Sequence, residues 1–480
     1  MTSCGGFWRS EYDPAEPGVN VPALRTKKRY VATCTMISVA EALSQVLEHA
    51  HAKSPGEVAL ADALGLVLAE DVVSDIDSPP HDKSMVDGYA VLAADLIDHR
   101  AKLGVLEEIT AGAVPRRKVV PGFCSRIMTG APLPEGAEAV VMVERTQFTP
   151  SPLTLLPQGE RGNGGTLTPA LSHREREGET LGIVEMYDER FRAGQNIMRR
   201  GKSLRQGETV LHRGAELGPA EIGLLVEVGR TRIQTVGAVS VAIISTGNEL
   251  VAAGEKPGAG FIRNSNSPLL AAAVRRAGAA ANDLGIVRDD ANELRRAIGA
   301  GLASDVLVIS GGVSAGVLDL VPAALNELGV RQVFHKINMK PGKPLWFGVY
   351  DKQTARFRAE PGAKSGDCTL VFGLPGNPVS TLVCFELFVK PAMARIAGRH
   401  WQPPHRTESA KLTVDFMHRG DRPTYWPASF IASPDGPLVE PKPWQGSADL
   451  RGFTGANALI AFPAGDRRYQ PGEDVDVLML

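Results

Sequence analysis

Lys340 and Lys343 bracket a Pro-Gly turn in MKPGKPLWFG (339–348), so two ammonium groups belong to one tight reversal of the chain. Three other stretches end in glycine-marked turns. In DVLVISGGVSAGVLDLV (305–321) an apolar run from Val306 to Ile309 stops at Ser310-Gly311-Gly312, and helical spacing resumes near Asp319 with Leu320, Val321, Ala324 and Leu325. VAIISTGNEL (241–250) is a second strand with a glycine in its exit. VFGLPGNPVS (371–380) is a third, followed by the apolar helix TLVCFELFV. One such turn by itself reads as an ordinary strand–helix connection. Several of them with two lysines nearby predict one pocket for a phosphate or another oxyanion, because backbone N–H groups beyond the carboxyl ends of parallel strands attract anions.

The elements that must position these turns come from 217 onward. GPAEIGLLVEVG is helical, VSVAIIS a strand, NSPLLAAAVRRAG a helix, ANDLGIVRD a strand and NELRRAIGAGLAS a helix. This is the alternation of a parallel sheet covered on both faces. Ahead of it, residues 38–51 have apolar residues at helical spacing, with Ser38 as N-cap and Glu41 completing a capping box. A second helical patch spans 57–66, followed by strand-like VLAEDVVS. Pro79-Pro80 then leads into Ser84-Met85-Val86-Asp87-Gly88-Tyr89, a turn that gathers a hydroxyl, a carboxylate and a phenol in six positions. The strand-like segments that follow, one ending at Thr129-Gly130-Ala131-Pro132, predict a small β-rich domain. Residues 150–180 lose all periodicity and read as a disordered loop insertion. Arg199 and Arg200 sit in a turn (GQNIMRRG), either solvated or touching an anion. After Gly398 the strands return, predicting a C-terminal β barrel or sandwich.

At 480 residues several domains are expected, and 43% hydrophobic with 22% charged residues suits a soluble globular protein. A formal net charge of −2 excludes a general nucleic-acid binder. The five cysteines (Cys4, Cys34, Cys124, Cys368, Cys384) form no CxxC pair and no metal-ligand spacing with histidine, so a reducing cytoplasm is expected. No apolar run of ~18 residues exists to span a membrane, and the N-terminus lacks a signal peptide's apolar core.

SMVDGYA, MTGAPLPEGAEAVV, GQNIMRRG, ISTGNEL, SGGVSAG, MKPGKP and LPGNPVS occur together and in this order. In them the chain resembles the MoeA family of molybdopterin molybdenumtransferases, to which the gephyrin E domain is related, over about 37–480 except the insertion. Each motif is weak alone; the set is specific. The resemblance implies an α/β multidomain fold: an elongated subunit of four domains that pairs as a homodimer. An N-terminal extension (1–36), expected to be disordered, precedes a linking domain (37–74 and 178–207). A β-rich domain (75–177), a doubly wound molybdopterin-binding α/β domain (208–398) and the C-terminal β domain (399–480) follow. The implied reaction converts adenylylated molybdopterin and molybdate to molybdenum cofactor and AMP with Mg²⁺. Implied partners are the second subunit, a molybdopterin adenylyltransferase and proteins of molybdoenzyme maturation, with no nucleic acid and no membrane.

By the same resemblance Lys340, Lys343 and Ser380 line the molybdate subsite, joined by Arg422 and Ser447 of the C-terminal domain. The pterin phosphate and AMP lie along Gly311, Gly312, Ser314, Asp319 and the Pro375-Gly376-Asn377-Pro378 turn, with Ser84, Asn264, Arg199 and Arg200 as further binding residues. Asp87, Thr129, Glu221, Asn248 and Glu249 are the catalytic candidates. Asp87 from the partner subunit and Glu221 would hold the metal, although a helix N-terminal acid such as Glu221 is favoured on dipole grounds alone. Asn248 and Asn264 stand where bacterial relatives often carry Asp, Ser203 where an Asp commonly follows the arginines, and Val317 where an acid is usual. These departures remove negative charge from the cleft and bear on metal affinity more than on oxyanion binding. Rival readings are adenylyl transfer to molybdopterin, which shares the α/β domain, and a gephyrin-like scaffold with catalysis silenced.

Overall fold

The computed structural model describes residues 36–151, 180–313, 320–352, 368–399 and 407–480. The expectations for 1–35, for nearly all of the insertion and for Ser314, Val317 and Asp319 lie outside these residues. The first helix, Val39–His49, begins as its sequence dictates. Ser38 Oγ accepts from the Glu41 N–H at 3.2 Å, and the Glu41 carboxylate accepts from the Ser38 N–H at 2.8 Å. Ala42, Leu43 and Val46 form its buried face.

The expected helix over 57–66 is replaced by a strand, Pro55–Ala59, and a single 3₁₀ turn, Leu60–Asp62. The strand pairs with Arg232–Val236, placing Val58 opposite Ile233. A partner more than 170 residues away in sequence overrides local helical spacing, because ladder bonds and shared burial outweigh propensity. The same pairing moves a boundary. Residues 209–236, assigned above to the α/β domain, contribute strand Thr209–Leu211, helix Pro219–Glu227 and strand Arg232–Val236 to the first domain, where Leu217, Leu225 and Ile233 pack on Leu60, Leu68 and Val72. The β-rich domain is a six-stranded sheet in the order Ala139–Met142, Gly88–Val91, Phe123–Ile127, Arg100–Ile109, Gly182–Tyr187, Thr146–Pro150.

The α/β domain carries a six-stranded sheet ordered Ala280–Val287, Ser240–Thr246, Val306–Ser310, Cys368–Leu374, Trp346–Asp351, Arg331–His335. The first four strands are parallel, and Trp346–Asp351 runs antiparallel to both of its neighbours, Cys368–Leu374 and Arg331–His335. The sheet is thus mixed, not wholly parallel, because Trp346–Asp351 returns through the lysine turn from the edge strand Arg331–His335 and inserts beside Cys368–Leu374 without a crossover helix. Alternate residues of Val306–Ser310 serve two cores. Val306 and Val308 meet Leu270, Val274 and Val383 on one face, and Leu307 and Ile309 meet Leu294, Ile298 and Val321 on the other. The apolar stretch after Asn377 is helical from Pro378–Cys384 through a π-helical turn, Phe385–Val389, to Lys390–Ile396. Five strands of the C-terminal domain close into a barrel. Its Trp444, Phe453, Leu459 and Leu478 join the larger α/β core, so barrel and sheet share one apolar seam. No helix among the described residues is long and apolar enough to cross a membrane.

Candidate active site

Three central strands finish level. Ser310 pairs in register with Ser245 on one side and with Leu374 on the other. Their exits therefore open on one crevice beyond the carboxyl edge. A cavity of about 500 Å³ lies there, lined by Thr246, Glu249, Gly311, Gly312, Pro375 and Gly376 among others. The glycines are required by geometry. Gly311 and Gly312 adopt φ of +94° and +64°, and side chains there would begin 2.5 Å from the Thr246 carbonyl oxygen and 2.7 Å from Val321 Cγ2. The Gly311 N–H donates to Leu374 O at 3.1 Å.

A second cavity, about 220 Å³, adjoins the first and shares Pro344, Pro375 and Asn377 with it. Lys340, Lys343, Ser380, Arg422 and Ser447 all line it. The backbone explains the convergence: the Lys340 N–H donates to Pro423 O and the Tyr425 N–H donates to Lys340 O, stitching the lysine turn to the barrel strand Thr424–Ile431. Asn377 Nδ2 donates to Ser447 Oγ at 2.8 Å from the other side. Among the described residues neither lysine amine forms an ion pair or hydrogen bond, while Arg422 pairs with the exposed Asp421. That guanidinium, with Lys340 adding to it, holds the Asp421 carboxyl below the usual carboxylate range. The cavity gathers three cations, one of them paired with Asp421, and two hydroxyls, a net positive set suited to a small oxyanion.

The remaining sequence candidates fall elsewhere. Asp87 and Thr129 are brought together: Asp87 Oδ1 accepts from both the Thr129 N–H and its hydroxyl, 2.7 Å each, and these bonds hold the carboxyl below its ordinary range. Neither residue lines the two cavities of its own chain. Glu221 spends its carboxylate on its own helix, accepting from the Gly218 N–H at 3.0 Å. Arg199 pairs with Asp82 at 2.6 Å and Arg200 with Asp77 at 2.7 Å, and neither arginine lines the two cavities of its own chain. Ser84 is buried and donates to Val86 O. Asn264 is a buried brace, its Oδ1 accepting from Ser245 Oγ and the Ser267 N–H. Asn248 is exposed and accepts from the Asp289 N–H at 3.2 Å. The Ser203 N–H donates to Ser78 O.

Sequence reasoning missed Thr246, Asn266 and Asp289, all lining the larger cavity. Thr246 directly follows one predicted strand and Asp289 ends another, so strand-end position was their available signal. Asn266 is two residues from Asn264, and nothing in NSNS separates a brace from a cavity residue. Glu249 and Asp289 give the rim two carboxylates, which with a substrate phosphate fit the oxygen-donor preference of a magnesium ion. Among the described residues no group of three or more His, Cys, Asp or Glu is placed to hold a metal.

Comparison with known proteins agrees with this geometry along the chain. The family model for the MoeA N-terminal region (domain I and II) matches residues 37–229, that for a probable molybdopterin binding domain matches 242–395, and that for the MoeA C-terminal region (domain IV) matches 409–480. A molybdopterin molybdenumtransferase of Bacillus subtilis is 32% identical over 459 residues, covering 93% of this chain and 94% of its own. One from Staphylococcus epidermidis is 29% identical over 451 residues, covering 93% and 96%. The solved structure of a molybdopterin biosynthesis MoeA protein from Pyrococcus horikoshii superposes with a TM-score of 0.68 at 29% identity, covering 93% of this chain and 99% of that one.

Proposed function

The chain belongs to the MoeA family, and on that footing we propose that it is a molybdopterin molybdenumtransferase, converting adenylylated molybdopterin and molybdate to molybdenum cofactor and AMP. The observation that carries this reading is the wall shared by the two cavities: a glycine-turn site fit for a phosphate and a tricationic site fit for a tetrahedral dianion meet at Pro344, Pro375 and Asn377. One extended substrate can place its phosphoanhydride in the first and its metal-accepting end at the mouth of the second. Lys340, Lys343 and Arg422 neutralise the dianion, and the Ser380 and Ser447 hydroxyls donate to its oxygens. Gly312 and Thr246 hold the phosphate, so both reactants are fixed at short range before any bond changes, which removes much of the entropic barrier. The tricationic cavity built with the barrel supports insertion over adenylyl transfer alone, since adenylylation itself handles no molybdate.

Magnesium belongs to this reading as well. Glu249 and Asp289 would hold it beside the substrate phosphate, and bound there it supplies charge neutralisation for the departing phosphate. We also read the protein as a cytoplasmic homodimer. The Asp87–Thr129 pair, exposed and outside the lining of its own chain's two cavities, is then available to the site of the partner subunit. The test is AMP release from adenylylated molybdopterin by the purified protein. Release is expected only when molybdate and Mg²⁺ are both present; release at the same rate without molybdate would reject insertion.

A further inference from the structure

Asn266 opens the helix Asn266–Arg276 and lines the larger cavity. Its Nδ2 donates twice, to Ser310 Oγ at 2.7 Å and to the Gly376 carbonyl at 2.6 Å. The second partner decides which way the amide faces. A carbonyl oxygen only accepts, so the nitrogen must face Gly376 and Oδ1 must point away from it. That oxygen is buried and has no hydrogen-bond partner. Thr246 Oγ1 is in the same condition, and it stands 3.1 and 2.8 Å from where side chains at Gly311 and Gly312 would begin. Two orphaned polar atoms in residues only 9% and 4% exposed, on the wall of one cavity, are destabilising unless something else completes them.

The two atoms call for different things. A phosphate oxygen cannot complete Asn266 Oδ1, since both are acceptors and the phosphate is negative. The amide oxygen needs an N–H or O–H. The Thr246 hydroxyl can donate, and its place over the glycine turn suits the phosphate itself. We propose that Asn266 is a specificity-determining residue, its Oδ1 accepting from an N–H or O–H of the substrate next to the phosphate that Gly312 and Thr246 hold. The inference rests on the functional reading above, and it divides the cavity into an anion-binding half and a donor-reading half. In an adenylylated pterin both halves of the molecule carry such donors: the nucleoside through its hydroxyl and amino groups, the pterin through its ring N–H and amino groups.

The test is calorimetric titration of the full chain with AMP, with molybdopterin and with inorganic phosphate. Asn266→Leu keeps the volume and removes the acceptor together with the two donated bonds to Ser310 and Gly376, so the difference among the ligands decides. It is expected to weaken either AMP or molybdopterin by roughly 10- to 100-fold while phosphate stays within about twofold. A loss confined to AMP assigns the donor to the nucleoside, and a loss confined to molybdopterin assigns it to the pterin. Thr246→Val is expected to weaken all three ligands alike. If Asn266→Leu weakens all three together, the residue is only a clasp between Ser310 and Gly376, and the proposal is wrong; it is equally wrong if none of the three changes. Asn266→Ser, too short to reach but tolerated at a helix start, gives the same readings should the Leu variant fail to fold. Wild-type protein that binds neither AMP nor molybdopterin would overturn the functional reading itself, whereas binding unaltered by the variants overturns this inference alone.

Discussion

Asn377 Nδ2 donates to Ser447 Oγ at 2.8 Å, and two residues further on the Val379 N–H donates to Ser447 O at 3.0 Å. A single serine of the barrel domain is thus bound by side chain and by main chain to the turn that leaves the fourth parallel strand. This junction closes the tricationic cavity, so its chemistry and its domain packing are the same contacts. Ser447→Ala deletes the hydroxyl and leaves the main-chain bond. Molybdate affinity is expected to fall on the order of tenfold with the melting temperature nearly unchanged. Equal affinity by calorimetry would detach Ser447 from the oxyanion site.

Lys340 and Lys343 are exposed and make no ion pair among the described residues, so their removal should cost binding and not folding. Each Lys→Ala variant is expected to weaken molybdate by about 10-fold or more, and the double variant further, with a shallower dependence on ionic strength. Unchanged affinity in Lys343→Ala would remove that amine from the site.

Gly342, between the two lysines, has φ of +115°, and a side chain there would begin 2.6 Å from Cys384 Sγ and 3.0 Å from Met339 Cε. Gly342→Ala combines left-handed strain with overpacking, an expected loss of about 3 kcal/mol. Denaturant titration should register it, and molybdate binding should weaken as the lysine turn is displaced. Adding Cys384→Ala should recover part of the stability but not the strain at φ. Full stability in Gly342→Ala would contradict the close packing beneath the turn.

The Asp87 carboxyl is held below its ordinary value of 3.8, chiefly by the Thr129 N–H and then by its hydroxyl. A depressed native pKa means that the pair stabilises the fold above the ordinary value and ceases to do so as pH falls through the depressed one. Thr129→Val keeps the N–H and loses the hydroxyl. The Asp87 titration, followed by NMR, is expected to move up toward 3.8, and any stability difference from wild type should shrink as the pH drops below that value. An Asp87 midpoint that does not move would dissolve the pairing.

The sequence by itself determined the elements whose signal is local. Val306 to Ile309, Val241 to Ile244 and Leu370 to Phe372 are apolar runs with a glycine within three residues of their ends, and such runs become buried strands wherever a sheet forms. Ser38 and Glu41 lie within one helical turn, so their reciprocal cap needs nothing distant. The lysines, the two glycines and the Pro-Gly-Asn-Pro turn, which belong to one pair of adjoining cavities, were legible as a candidate oxyanion site because positive charge and required backbone conformations are written in residue type. The tertiary structure decided what depends on a partner far along the chain. Pro55–Ala59 became an edge strand, ending the expected 57–66 helix, because Arg232–Val236 supplied a ladder. The sheet became mixed because the lysine turn folds back instead of crossing over. That Arg199 and Arg200 pair with Asp82 and Asp77, and that Glu221 accepts from the Gly218 N–H, depended on which partners the fold set beside them. Between Asn264 and Asn266, the same residue two places apart on one helix start, only packing could choose. An amide's role is set by which atoms stand around it, and those atoms come from strands and turns up to 110 residues away.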